Sequence, residues 1–275
     1  MNSRPNSRTN LERSIQRFAV DNAKVAPLRL ALANAIVAQM IGEGVVKGGS
    51  GLKFRFGEQA TRVTEDLDTA YRTGLDEFLK DIKSKLADGW NGFTGDVIVE
   101  RQSTPRSVPF EYVMQPCAVK LSYLQTPWFT VELEVGHNEI GDADEYDEIP
   151  VPKEVAELVA FLSFPPLKPI HVMKLEYQIA QKLHGASGRN SSRAHDLIDL
   201  QLIMANHSPD MLLTSTICRR LFAYRRQQTW PPVVVKNEGW KTVYDEQKGS
   251  LNILQTVDEA IGWANDLVAR IDAAV

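Results

Sequence analysis

The sequence predicts an α+β fold: N-terminal helices, a strand and glycine turn, a β-rich middle and a helical C-terminal half. Three observations carry this. Apolar residues recur at helical spacing near both ends of the chain. Between Phe93 and Gly136, β-branched and aromatic residues alternate in short runs, and Gly48, Gly49 and Gly51 follow directly on Val45-Val46-Lys47. The 275 residues, 43% hydrophobic and 24% charged, are of ordinary globular composition and numerous enough to bury a large core.

The first ten or so residues are polar and are expected to fray. Leu11, Ile15 and Phe18, then Leu28, Leu30, Ala33, Ile36 and Met40, give a helical pattern over residues 11–42, which Pro27 divides into two helices. Gly42 and Gly44 end the second. Val45-Val46-Lys47 reads as a strand end, Gly48-Gly49-Ser50-Gly51 as a turn, and Leu52 to Phe56 as the opening of a short helix. Strands of an antiparallel or mixed sheet are expected at 96–100, 110–114, 119–124 and 129–135. The acidic run at 142–148, closed by Pro150 and Pro152, reads as a solvated connection. It sets an expected boundary between domains 1–150 and 151–275. Helices are expected beyond it at 153–161, 173–186, 193–206, 210–226 and 257–271.

Composition excludes several classes. With 31 basic and 35 acidic residues, the net charge of -4 lacks the positive field of a general nucleic-acid binder. Cys117 and Cys218 stand about a hundred residues apart with no CxxC spacing, so neither a zinc site nor a disulfide framework is indicated, and a reducing cytoplasm is expected. The N-terminus has no apolar signal core. No apolar run approaches the ~20 residues of a membrane span, so no membrane association is expected. A P-loop is absent, and the five histidines have no metal-binding spacing.

The segment Lys47-Gly48-Gly49-Ser50-Gly51-Leu52 has the chemistry of a phosphate cradle. Glycines let backbone N–H groups converge, a following helix adds its dipole, and Ser50 offers a hydroxyl. In Asp66-Leu67-Asp68, extended backbone sends Leu67 to the core and both carboxylates to one face, where they repel unless a cation lies between them. Such hard oxygen ligands suit Mg²⁺ or Mn²⁺. The plainer reading is a simple glycine turn with Asp66 as a helix cap.

Taken together, Gly49-Ser50 and Asp66-Leu67-Asp68 resemble the signature of the polymerase-β-like nucleotidyltransferase superfamily. More narrowly, Lys47 to Leu52 and Arg62-Val63-Thr64-Glu65-Asp66-Leu67-Asp68 resemble the Lys-Gly-Gly-Thr-x-Leu and Arg-x-Ser-x-Asp-Leu-Asp blocks of the AbiEii family of nucleotidyltransferase toxins. A second stretch is similar to the family's Glu-x-x-x-Ala-x-Lys-Leu, arginine and Arg-Asp-x-x-Asp-Leu pattern. It comprises Glu176, Ala180, Lys182 and Leu183, then Arg189, then Asp196-Leu197-Ile198-Asp199-Leu200. Here His195 stands where arginine is usual, and Arg193 is the substitute within reach. Without the family, Lys182 and the aspartates read as a salt bridge between helices.

The resemblance implies a nucleotidyltransferase-like mixed sheet, with a helical second domain completing the nucleotide cleft. It also implies NMP transfer from an NTP to an acceptor hydroxyl, with Asp66 and Asp68 holding Mg²⁺ or Mn²⁺. Lys47, Gly48, Gly49, Ser50, Arg62, Lys182, Arg189 and Asp196 are then the expected nucleotide-binding residues. The family carries an acidic residue on a comparable strand; alternation puts Glu132 and Glu134 on one face without separating them, with Glu132 slightly preferred. Further implied are a separately encoded antitoxin and an RNA acceptor such as a tRNA 3′ end. The alternatives are a non-catalytic nucleotide-binding module, or transfer to a small molecule or protein. Arg219, Arg220, Arg225 and Arg226 read as a solvated helix face and Trp230 as packing.

Overall fold

The structure is a computed structural model, and it describes residues 4–102 and 113–274. Two compact units emerge: the described residues of Met1–Arg55 and Glu65–Val172 form one, and those of Phe56–Thr64 and Met173–Val275 the other.

The first unit opens with α1 (Arg8–Ala19) and α2 (Val25–Ala38), followed by β1 (Gly44–Val46), α3 (Gly48–Phe56), β2 (Leu67–Tyr71) and α4 (Leu75–Asp88). Then come β3 (Phe93–Val99), β4 (Gln115–Tyr123), β5 (Thr126–Gly136), β6 (Tyr146–Ile149), α5 (Lys153–Phe161) and β7 (Ile170–Met173). The strands form one mixed sheet in the order β3-β4-β5-β2-β1-β7-β6. β3, β4 and β5 make an antiparallel meander, β5 runs parallel to β2, and β1 is antiparallel to β2 but parallel to β7.

One face of this sheet is the core. Leu67, Val97, Val119, Val131, Leu133 and Val135 point into a cluster closed by Leu11 and Ile15 of α1, Leu32 and Ile36 of α2, and Phe78 and Ile82 of α4. Period-2 strands facing period-3.6 helices produce this layering. On the other face, exposed or half-buried Asp68, Asp96, Lys120, Thr130, Glu132 and Glu134 alternate with those core residues.

Several expectations need correcting. The N-terminal residues from Arg4 do not fray: Ser7 caps α1, and Pro5 O accepts a hydrogen bond from buried Tyr123. The break between the first two helices precedes Pro27, at Val20 with φ 59°, and Pro27 lies in the first turn of α2, where a missing N–H costs little. The acidic run is no solvated linker, since Asp142 and Ala143 are buried and Tyr146–Ile149 forms β6. The sheet continues to β7, and the chain divides between Val172 and Met173. The expected strand at 110–114 lies outside the described residues up to 112. Helix α4 was not expected from the sequence: Phe78, Ile82 and Leu86 are its buried residues and lie on one face, with Leu75 and Leu79 packed beside them, and Gly89 ends it.

The second unit contains α6 (Leu175–Ala186), α7 (His195–Asn206), α8 (Met211–Arg225), α9 (Trp240–Lys248) and α10 (Val257–Asp272). Its core packs Leu197 and Ile198 against Trp240, Tyr244, Val257 and Ala260. Trp230 is held by packing on Phe222 and a hydrogen bond to Asp272, as the plainer reading expects. Among the described residues no helix is long and apolar enough to cross a membrane.

Candidate active site

The glycines expected as a turn ahead of a helix are themselves the first turn of α3, with Gly51 N donating to Lys47 O at 2.8 Å. Gly48 has φ +61°, and a Cβ there would be driven into the Asp68 carboxylate, so this position requires glycine twice over. The first-turn N–H groups of α3 have no intrahelical acceptor and carry the positive end of its dipole. Lys47 N donates to Asp68 O at 2.9 Å, extending the β1–β2 ladder to the helix start. The Lys47 side chain is buried beside Gly136, whose missing Cβ leaves room for the ammonium. Ser50 is buried and donates its hydroxyl to Asp66 O, so it ties the two motif segments together.

Leu67 is fully buried, Asp66 is exposed and Asp68 half-buried, as alternation requires. The parallel β2–β5 register pairs Leu67 with Leu133 and Asp68 with Glu134. Glu134 therefore stands beside Asp68 on the face away from the core. Glu132 is exposed two residues earlier on that face, on the Asp66 side of the pair. Among the described residues no three His, Cys, Asp or Glu side chains form a ready metal cage. A hard cation such as Mg²⁺ does not need one, because it takes one or two carboxylates and completes its shell with water and substrate phosphate. The all-oxygen donor set of Asp66, Asp68 and Glu134 fits that chemistry.

The second motif region is a buried charge cluster within the helical unit. Lys182 Nζ on α6 lies 2.6 Å from Asp199 and 3.3 Å from Asp196, both on α7 one turn apart. Arg62 Nε reaches Asp199 at 3.0 Å, and Arg193 grips Asp196 through Nε at 2.5 Å and a second nitrogen at 3.1 Å. Arg193 thus supplies a fork to the aspartate that the family pattern gives to the preceding residue. Asp196 is fully buried, which opposes its ionisation, but Arg193 and Lys182 outweigh this and hold the carboxyl far below its usual range. His195 in that position is neutral, pushed down to about 4 by burial with Arg62, Arg193 and Lys182 adding to it against the pull of Asp196. Arg189 is exposed in the turn after α6. Asp199, which sequence reasoning did not select as a site residue, bonds to both Lys182 and Arg62. Its i, i+3 spacing from Asp196 was the available signal.

Residues 32–265 match the family described as nucleotidyl transferase AbiEii toxin, type IV TA system. Among solved structures, the chain is similar to MenT4, a nucleotidyltransferase toxin from Mycobacterium tuberculosis. The TM-score is 0.56, with 17% identity over 94% of this chain and 89% of that one. JHP933 from Helicobacter pylori matches with TM-score 0.47 and 18% identity, over 88% of this chain and 89% of that one. A putative nucleotidyltransferase from H. pylori gives 0.47 and 17%, over 92% and 96%. Comparison with curated proteins gives no match. The likeness to MenT4 establishes the mixed nucleotidyltransferase fold. Because the family match spans most of the chain, a range that includes the glycine block, the aspartate pair and the lysine–aspartate block, the chain belongs to the AbiEii family of nucleotidyltransferase toxins of type IV toxin–antitoxin systems.

Proposed function

We propose that this protein transfers NMP from an NTP to a hydroxyl of an RNA, such as a tRNA 3′ end, in a metal-dependent reaction. The observation that carries the reading is the placement of Asp68 between the first turn of α3 and its register neighbour Glu134, with Asp66 on the same face. Phosphate donors and a carboxylate group thereby adjoin one another. In the proposed reaction an acceptor oxygen bonds to the α-phosphorus in line with the departing pyrophosphate, whose bond to that phosphorus breaks. Lys47 and the N–H groups of Gly48, Gly49 and Ser50 bind the outer phosphates. Asp66 and Asp68 would hold Mg²⁺ or Mn²⁺, which supplies charge stabilisation to the attacking and leaving oxygens. Glu134 takes up the proton of the acceptor hydroxyl.

Lys182, Arg62, Arg189 and Asp196 remain proposed nucleotide-binding residues. For Lys182, Arg62 and Asp196 the support is charge, since Lys182, Arg62 and Arg193 converge on Asp196 and Asp199; Arg189 is included for the family resemblance. We place the reaction in the cytoplasm, consistent with the free thiols of Cys117 and Cys218, and assign neutralisation to a separately encoded antitoxin.

The test incubates purified protein with each α-labelled NTP, Mg²⁺ and unfractionated tRNA. RNA labelling by the wild type and none by Asp68→Ala is expected, together with growth arrest by the wild type that Asp66→Ala relieves. Label found only on protein or a small molecule would assign the acceptor elsewhere. Undiminished transfer by Asp68→Ala would remove the carboxylate site.

A further inference from the structure

The strand registers order the open face of the sheet into rows leading away from the candidate catalytic carboxylates. The first row is Asp68 with Glu134 and Pro116; the next is Glu132, Ala118 and Ile98; the third is Thr130, Lys120 and Asp96. Four residues separate Glu134 from Thr130, so the third row lies about 13 Å from the first at ~3.3 Å per residue.

Two features of these rows are unexplained by folding. Ile98 is a β-branched apolar side chain left 49% exposed on an edge strand, next to small, buried Ala118. Lys120 is the single basic residue in all of β2, β3, β4 and β5. It is exposed, with its ammonium 3.2 Å from Thr130 Oγ1, while its cross-strand neighbour Asp96 accepts a hydrogen bond from Val97 N at 2.8 Å. Beyond the phosphate donors at the start of α3, a polyanionic acceptor approaching this acidic face finds attraction at that ammonium and its hydroxyl neighbour.

We infer that this face is the platform for the 3′ end of the acceptor, with exposed Ile98 beneath the terminal nucleoside and Lys120 with Thr130 on a phosphate behind it. Lys120 is then a positioning residue: it binds the acceptor backbone and leaves the chemistry to the carboxylate row. The apolar surface of Ile98 supports a base without reading it, so the platform favours a nucleotide end over a protein side chain. The inference rests on the RNA-acceptor reading above.

The experiment measures transfer to unfractionated tRNA across a salt series for the wild type, Lys120→Gln, Lys120→Glu and Ile98→Asn. Both positions, Lys120 and Ile98, are exposed, and melting temperature and KM for NTP serve as folding controls. Lys120→Gln is expected to raise KM for RNA roughly three- to tenfold at low salt, leave kcat at saturating RNA unchanged, and lower the salt slope by about one. Lys120→Glu should raise KM further. Ile98→Asn should raise KM without changing the slope, since it removes no charge. If the wild type labels RNA but both Lys120 variants keep its KM and slope, the platform is wrong and the RNA reading stands. If the wild type labels no RNA, both fall.

Discussion

At the scale of single residues, the sheet register separates two glutamates that sequence alternation treats as equivalent. Glu132 and Glu134 share a face, but only Glu134 is paired with Asp68 across the β2–β5 boundary. Glu134→Gln keeps shape and removes the proton acceptor, so single-turnover transfer should fall roughly 10²- to 10⁴-fold, while Glu132→Gln should fall far less. The reverse order would assign Glu132 as the third carboxylate. Lys182 presents a different question, because it is 3% exposed and contacts two aspartates. In Lys182→Met, Asp196 keeps Arg193 and Asp199 keeps Arg62, so the loss of stability should be about 1–3 kcal/mol rather than that of an orphaned buried charge. A raised KM for NTP in the same folded variant supports the nucleotide-binding assignment. Unchanged KM and turnover would confine Lys182 to structure.

At the scale of elements, the start of α3 couples backbone conformation to site geometry. Gly48→Ala forces a side chain into left-handed backbone and against Asp68. It is expected to cost about 1–2 kcal/mol for the backbone alone and to abolish most transfer by displacing that carboxylate. Thr256→Ala supplies the contrast, because it breaks the capping box of α10, in which Thr256 and Glu259 satisfy each other's backbone. That change should lower stability by about 1 kcal/mol and leave turnover per folded molecule alone. Equal activity losses in the two variants, once corrected for folded fraction, would break the link between the α3 start and the site. The glycine block was legible as a motif, but its helical state was not, because glycine propensity argues against helix and the β1–β2 ladder, Asp68 and the Ser50 bond to Asp66 fix it there.

For the whole molecule, buried histidines set the response to acid. Burial pushes His184 down to about 3, with Arg225 and Arg193 adding to it, and His195 to about 4. Arg225 lies 3.2 Å from His184 Nδ1, so that nitrogen accepts and the ring is neutral. Both groups bind fewer protons folded than unfolded once pH drops below about 6.5, the ordinary histidine value. Stability is therefore complete above that pH and falls by up to about 1.4 kcal/mol per pH unit for each histidine, down to their folded values. Asp196, with its lowered carboxyl, adds its loss only below the ordinary aspartate range. Urea unfolding at pH 7.5, 6 and 5 checks this: the midpoint should drop, and His184→Gln should flatten the slope. A flat profile in the wild type would contradict the neutral buried state.

What the sequence by itself determined was the α+β class, most helices of the second half, the alternation placing Leu67 inward and Asp66 and Asp68 outward, and the family. Each is written in local periodicity or short motifs, where physical cause and residue spacing coincide. Tertiary structure alone decided the pairing of Asp68 with Glu134, the helical state of the glycines, Arg62 as a partner of Asp199, and the inclusion of β6 and β7 in the sheet. These depend on parallel pairing and side-chain reach between segments far apart in the chain. Periodicity fixes which face a residue takes, but the neighbour it meets across a sheet or between helices follows from register and packing.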